Sequence, residues 1–159
     1  PENWRALQAG SVDAGVVTFP FHILAKQKGF NVLAELFRDA QYPLTGIVVR
    51  TDWARRNEDL LLRYLKGYLR SQEYAYTRRA EAEEVAVKVL GLQPDMAKLG
   101  WEEFNRIGQW NRDLVISPES VKTMVGFLVK SGEIKAPGEF SKYVNPTYVA
   151  KANAQFKAR

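Results

Sequence analysis

The stretch ALQAGSVDAGVVTFPF, residues 6–21, combines three local patterns. Residues 3–9 have helical periodicity, and Gly10 is placed to end that helix because glycine readily adopts the left-handed conformation. The run VDAGVVTF that follows is mostly apolar on both faces, which is typical of a strand covered on both sides. Pro20 suits the first turn of a helix, where its missing N–H is not needed. The stretch therefore predicts a helix, a strand and a second helix.

Two more strand-like runs, NVLAELF and GIVVR, follow in the next thirty or so residues. Strands are expected near residues 12–18, 31–36 and 45–50. Helices between strands indicate an α/β protein. Three strands are fewer than the roughly five or six of an ordinary sheet. The sequence therefore predicts the back part of an α/β fold, mostly helical with a few short strands.

From Glu58 onward the periodicity is almost wholly helical. Leu61, Leu65 and Leu69 lie on one face of a long predicted helix. The run Ser117-Pro118-Glu119 is a strong helix start, with an N-cap serine, a proline at the first position and an acid in the first turn. Other glycine and proline signals predict where the remaining helices begin or end: Gly91, Pro94, Gly132 and Asn145-Pro146.

Composition limits the function classes. The chain has 159 residues, 46% hydrophobic and 26% charged, which is enough for one globular core. It has no cysteine, which excludes disulfides, thiolate metal sites and a cysteine nucleophile. The net charge of +5 is dispersed, and acids accompany both Arg55-Arg56 and Arg78-Arg79. A nucleic-acid partner is therefore not expected.

Candidate site residues are few. His22 is the only histidine and has no acid close by in sequence, so we interpret it as a partly exposed helix residue. No metal site, catalytic group or cofactor is expected. In open α/β sheets, ligands bind beyond the carboxyl ends of strands, close to helix N-termini. Thr18, Phe19 and Phe21 stand at such a position and are candidate ligand-binding residues. A packed turn without a ligand is the alternative interpretation.

The segments ALQAGSVDAGVVTFP, GFNVLAEL and YPLTGIVVRTDWARRNEDLLLRYLKGYLRSQEYA, followed by ISPESVKTMVGFLVKSGEIKAPGEFSKYVNPTYV, resemble a known family. They are similar to the second half of the nitrate/sulfonate/taurine-type substrate-binding proteins of ABC importers, a group that includes thiamine-precursor-binding relatives. The resemblance covers essentially the whole chain and rests on the order and spacing of several weak motifs. The family's N-terminal half has no counterpart in this sequence.

This resemblance implies the C-terminal half of a two-lobed periplasmic-binding-protein (type II) fold. Residues 1–40 would end the second lobe, residues 41–46 would form the hinge crossing, and residues 47–159 would complete the first lobe with wrapping helices. Thr45 would approach the ligand from the hinge, opposite Thr18, Phe19 and Phe21 at the strand end.

The function implied is that of an extracytoplasmic, periplasmic solute-binding protein rather than an enzyme, with a signal peptide expected upstream. It would deliver a small organic or oxyanion ligand, such as a sulfonate, nitrate or thiamine-precursor-like molecule, to an ABC transporter permease. The alternative is an enzyme of the thiamine-pyrimidine synthase type, which shares that fold. Such an enzyme needs reactive histidine and cysteine residues, and this chain has one histidine and no cysteine.

Two physical expectations accompany this interpretation. Because the loop from Thr18 to His22 contains no acid, and Asp13 lies at the other end of the predicted strand, an anionic or neutral ligand is favoured over an amine. Because strands that are meant to be covered would lack partners in this fragment, self-association of the chain is also expected.

Overall fold

The computed structural model describes residues 2–35, 43, 45–108 and 111–158. These residues form a mainly helical structure. Its helices are α1 (Glu2–Gln8), α2 (Phe21–Gln27), α3 (Thr51–Arg56), α4 (Glu58–Thr77), α5 (Arg79–Leu90), α6 (Pro94–Arg106), α7 (Pro118–Lys130), α8 (Phe140–Tyr143) and α9 (Thr147–Lys157). None of these helices is long and apolar enough to cross a membrane.

The predicted fold class is wrong in its strands. Over the described residues there is no strand and no sheet, so an α/β two-lobed binding-protein fold is not what forms. Residues 12–18, 31–35 and 45–50 have no regular secondary structure. A strand exists only where a neighbouring backbone completes its hydrogen-bond ladder, and no backbone–backbone bond joins any two of these three segments. Position 36, the end of the second predicted strand, lies outside the described residues.

The same segments carry apolar side chains that face solvent. Val16 is 64% exposed, Leu33 is 83% exposed and Val48 is 93% exposed. Their β-branched and apolar character suits a covered strand, but the rest of the described chain does not cover them. The apolar composition of these runs therefore does not lead to burial, and the prediction of covered strands is wrong.

Helix ends follow the local signals closely. The side chain of Ser117 accepts a hydrogen bond from the backbone N–H of Ser120 at the start of α7, as an N-cap should. Gly91 ends α5 in the left-handed conformation, with φ of 68°. Pro94 opens α6, and the Asn145-Pro146 signal precedes α9. These predicted boundaries are confirmed.

The principal core is built on α4. Leu61, Leu65 and Leu69 are buried on one face of this helix, as their spacing predicts, and Leu62 lies beside them. They form one cluster with Ala54 of α3 and Ala152 of α9, and partly buried side chains close its edges: Trp53, Leu114, Tyr148, Val149 and Phe156. Burial of these apolar side chains holds α3, α4 and α9 together.

Polar contacts at the surface fix α9 along α4. The Lys66 ammonium donates to the Gln155 side-chain oxygen at 2.9 Å, and the Lys151 ammonium lies 2.5 Å from a Glu58 carboxylate oxygen. The Glu58 carboxylate raises the pKa of Lys151, chiefly through this hydrogen bond. Both contacts join positions far apart in sequence, so they orient the last helix rather than stabilise a single helix.

Helices α5 and α6 pack as a second pair. The Arg79 guanidinium donates at 2.7 Å to Glu83 on its own helix and at 2.7 Å to Glu102 on α6. It also lies 4.8 Å from the centre of the Trp101 ring, within cation–π range. The Trp101 indole N–H donates to the Ala75 carbonyl oxygen at 2.7 Å, which links this pair back to α4.

The lobe and hinge boundaries are not resolved by these residues, since positions 36–42 and 44 lie outside the described set. The first 35 residues do contact the later helices. Phe19 packs on Phe104 of α6 with ring centroids 5.0 Å apart. This contact directs the Phe19 side chain of the loop before α2 towards α6.

Candidate functional site

A solvent-open pocket of about 370 Å³, called the cavity below, lies where α1, residues 16–18 and the first residue of α2 meet. Its polar lining consists of Glu2, Asn3 and Thr18, and its apolar lining of Trp4, Val16, Val17 and Phe21. Two of the predicted ligand-binding residues, Thr18 and Phe21, are thus brought together on one cavity wall. The size is in the range typical of small-molecule sites, roughly 300–1,000 Å³.

The wall is assembled by one contact between α1 and the segment before α2. The Asn3 side-chain N–H donates to the Val16 carbonyl oxygen at 2.9 Å. A Cβ atom at position 15 would stand 3.7 Å from the Asn3 carbonyl oxygen, an ordinary van der Waals distance, so this segment runs within contact distance of α1. Position 16 is therefore fixed with its carbonyl on α1, and Thr18 follows at the cavity edge.

Aromatic packing supports the base of the cavity. Trp4 is only 6% exposed, although it sits in a seven-residue helix. Its ring centroid is 6.4 Å from that of Phe21 with an interplanar angle of 30°, and 5.8 Å from that of Phe30 with an angle of 73°. These distances are typical of aromatic pairs. They hold the start of α2 against α1, and so they position Phe21.

The N-terminal N–H groups of α2 are already used. The backbone N–H groups of Phe21 and His22 both donate to the Thr18 carbonyl oxygen, at 2.8 and 3.3 Å. Those of Ile23 and Leu24 donate to the Pro20 carbonyl oxygen. The sequence interpretation assigned such groups to a ligand. In the structure, the turn at Thr18 and Pro20 occupies them instead.

Phe19 points towards α6 and does not line the cavity. Its ring packs on Phe104 at an interplanar angle of 61° and lies 6.2 Å from the His22 ring. A Cβ atom at position 100 would stand 2.6 Å from Cζ of Phe19, so the ring enters a space that only glycine leaves open on α6. Phe19 is therefore an anchor between the loop and α6 in this arrangement.

An ionic cluster lies beside that anchor. His22 Nε2 is 3.6 Å from a carboxylate oxygen of Glu103, and the Arg106 guanidinium donates twice to the same carboxylate, at 2.7 and 2.9 Å. These hydrogen bonds from Arg106 lower the pKa of Glu103 and, reciprocally, raise the pKa of Arg106. The imidazole is 25% exposed. Glu103 thus brings the His22 imidazole of α2 beside the Glu103–Arg106 pair of α6, and His22 is not among the residues that line the cavity.

Thr45 is exposed and does not line the cavity. The predicted set therefore divides: Thr18 and Phe21 share the cavity, Phe19 joins α6, and Thr45 lies on the surface. Sequence reasoning missed Glu2 and Trp4, which line the cavity from α1. The one available signal was Trp4 itself, a large aromatic side chain in a short helix directly before the loop.

The described residues contain no group of three histidine, aspartate or glutamate side chains that could hold a metal ion. What the arrangement offers is a small partly aromatic cavity, one hydroxyl, one amide and one carboxylate. Such a wall can bind a small organic molecule through ring contacts and a few polar contacts.

Comparison with family models, with curated proteins and with solved structures gives no match for this chain.

Proposed function

We propose that this chain belongs to an extracytoplasmic solute-binding protein that captures a small organic ligand and passes it to an ABC transporter permease. The proposal combines the family resemblance of the sequence with the cavity between α1 and α2. It does not rely on the sheet-containing fold that the resemblance implied, because that sheet is not formed by the described residues.

The observation that carries the proposal is the position of Thr18 and Phe21. The sequence predicts both as ligand-binding residues, and both line a cavity of about 370 Å³. A hydroxyl and an aromatic face at the rim of an aromatic-walled cavity are suited to orienting a small molecule. The residues Phe19 and Thr45 are not part of this proposed site.

The test is isothermal titration calorimetry of the chain with small solutes of different charge, with Thr18→Val and Phe21→Leu as site variants. We expect saturable one-to-one binding of at least one solute, weakened by roughly three- to tenfold in each variant. Ile134→Val, a conservative change far along the chain, is the control and should leave affinity unchanged. If no solute binds, or if both site variants bind as tightly as the original chain, the proposal is wrong.

The transporter partner and the compartment are tested separately. Expression of the complete gene should place the protein outside the cytoplasmic membrane on cell fractionation, and its deletion should abolish uptake of the bound solute. A protein found only in the cytoplasmic fraction would overturn the transport role while leaving ligand binding by the cavity to the calorimetric test.

A further inference from the structure

We infer that the cavity selects a small organic cation, an ammonium group attached to an apolar or aromatic body, over an oxyanion. This inference rests on the proposed function, because it names the class of solute taken by the same site. The sequence interpretation favoured an anionic or neutral ligand, since the loop from Thr18 to His22 has no acid. The structure places an acid at the loop from elsewhere in the chain.

Charge on the cavity wall is the first argument. Among the described residues that line the cavity, Glu2 is the one ionisable side chain, and none is a lysine or arginine. Among the described residues, no hydrogen bond or ion pair engages the Glu2 carboxylate. A cation entering the cavity would gain this carboxylate as a partner, whereas an oxyanion would face it at close range.

The occupied backbone groups are the second argument. An oxyanion bound at a helix N-terminus depends on free N–H groups. Here the N–H groups of Phe21 and His22 donate to the Thr18 carbonyl oxygen. The side-chain donors of the described lining residues are neutral: the Thr18 hydroxyl, the Trp4 indole N–H and the Asn3 amide, which already donates one hydrogen bond to Val16. An anion would thus lose its hydration without gaining a charged donor from these residues.

The aromatic wall is the third argument. Trp4 and Phe21 both line the cavity, and their rings are tilted by only 30° relative to each other. Aromatic rings carry negative potential on their faces and attract cations, tryptophan most strongly. Aromatic side chains and a carboxylate on one wall favour an ammonium group over nitrate or a sulfonate.

The experiment uses three probes that share one benzyl group and differ in charge: benzylammonium, benzyl alcohol and phenylmethanesulfonate. Each is titrated into the chain at low ionic strength. We expect benzylammonium to bind most tightly, benzyl alcohol less tightly and phenylmethanesulfonate least tightly. The affinities of the first two should differ by only roughly three- to fivefold, because Glu2 is solvent-exposed and its charge is screened. Because the protein is unchanged across the series, this result does not depend on the folding of a variant.

Glu2→Gln removes the charge and keeps the shape of the side chain. We expect this variant to lower the affinity for benzylammonium roughly three- to fivefold and to change the affinity for benzyl alcohol by less than about twofold. Glu119→Gln is the matched control, because Glu119 is also an acid in the first turn of its helix and is not part of the cavity. It makes the same change in net charge and should leave all three affinities unchanged.

The outcomes separate the two proposals. Preferential binding of phenylmethanesulfonate, or equal loss of benzylammonium affinity in Glu2→Gln and Glu119→Gln, overturns the inferred cation preference and leaves small-molecule binding intact. Failure of all three probes, together with the solutes of the wider panel, overturns the proposed function itself.

Discussion

The Phe19 ring fills the space in front of Gly100. A Cβ atom at position 100 would stand 2.6 Å from Cζ and 2.8 Å from Cε2 of that ring, distances at which one of the two must move. Since α6 carries Gly100 and the loop before α2 carries Phe19, this contact fixes how the loop meets the later helices. It also explains why Phe19 packs on α6 whereas Phe21, two residues later, lines the cavity.

Gly100→Ala should not stabilise the protein, although it places alanine inside a helix. Alanine has the higher helix propensity, by about 1 kcal/mol, but here its methyl group collides with the Phe19 ring, and overpacking costs about 1–3 kcal/mol. The free energy of unfolding, measured by urea denaturation, should therefore stay equal or fall by up to about 2 kcal/mol.

The control is Gly67→Ala in the interior of α4, where nothing lies within 4 Å of the added Cβ. That variant should be stabilised, and equal stabilisation of both variants would show that the ring does not occupy this space.

Phe19→Leu and Phe21→Leu should have different effects on ligand binding. Phe19 contacts α6, so its replacement should lower the unfolding free energy by about 1 kcal/mol and change ligand affinity less than twofold. Phe21 lines the cavity, so its replacement should weaken binding at least threefold. Calorimetric titration with benzylammonium, alongside thermal unfolding, measures both effects. A larger loss of affinity in Phe19→Leu than in Phe21→Leu would indicate that Phe19 belongs to the ligand-binding site.

Acid should weaken the ion pair between Glu103 and Arg106, which lies within α6 beside His22 of α2. The pKa of Glu103 is lowered in the folded protein by its hydrogen bonds from Arg106. A lowered carboxyl pKa contributes stability that is fully present above the unfolded-state value of about 4.5 and is lost as the pH falls through the folded value.

Glu103→Gln should remove this part of the acid sensitivity. At pH 7 the variant should be less stable by up to about 1 kcal/mol, and its stability should converge with that of the original chain near pH 3. Urea denaturation at several pH values measures the two curves, with Glu119→Gln as a variant of equal charge change outside the cluster. Parallel curves for Glu103→Gln and the original chain would show that the pair contributes nothing to the pH dependence.

Self-association should involve the exposed apolar run at residues 45–50. Val48 is 93% exposed, and among the described residues no backbone–backbone hydrogen bond uses this run apart from the Arg50 carbonyl, which accepts from the Ala54 N–H at the start of α3. Such a run can pair with another chain along its free edge. Val48→Lys should therefore lower the fraction of dimer or larger species in sedimentation velocity. Val89→Lys is the control, because Val89 is 72% exposed on a helix whose backbone is already hydrogen-bonded. Equal effects of the two variants would indicate nonspecific association.

The sequence by itself determined the helices. The cap at Ser117, the left-handed Gly91 and the buried spacing of Leu61, Leu65 and Leu69 all appear in the structure where the sequence predicted them. The two helix ends and the spacing of the leucines depend on positions within about four residues along the chain, so the local sequence specifies them, whereas burial of the leucines also needs Ala54 and Ala152 from other helices.

Only the tertiary structure decided the outcome of the apolar runs and the composition of the cavity. A run such as GIVVR becomes a strand only if another backbone segment lies beside it, and no described segment does so. The acid and the indole on the cavity wall come from Glu2 and Trp4, which reach Thr18 because the Asn3 side chain bonds Val16 and Trp4 packs on Phe21. Ladders and cavities are made by residues distant in sequence. Their charge and shape therefore depend on how the helices pack, which no local pattern specifies.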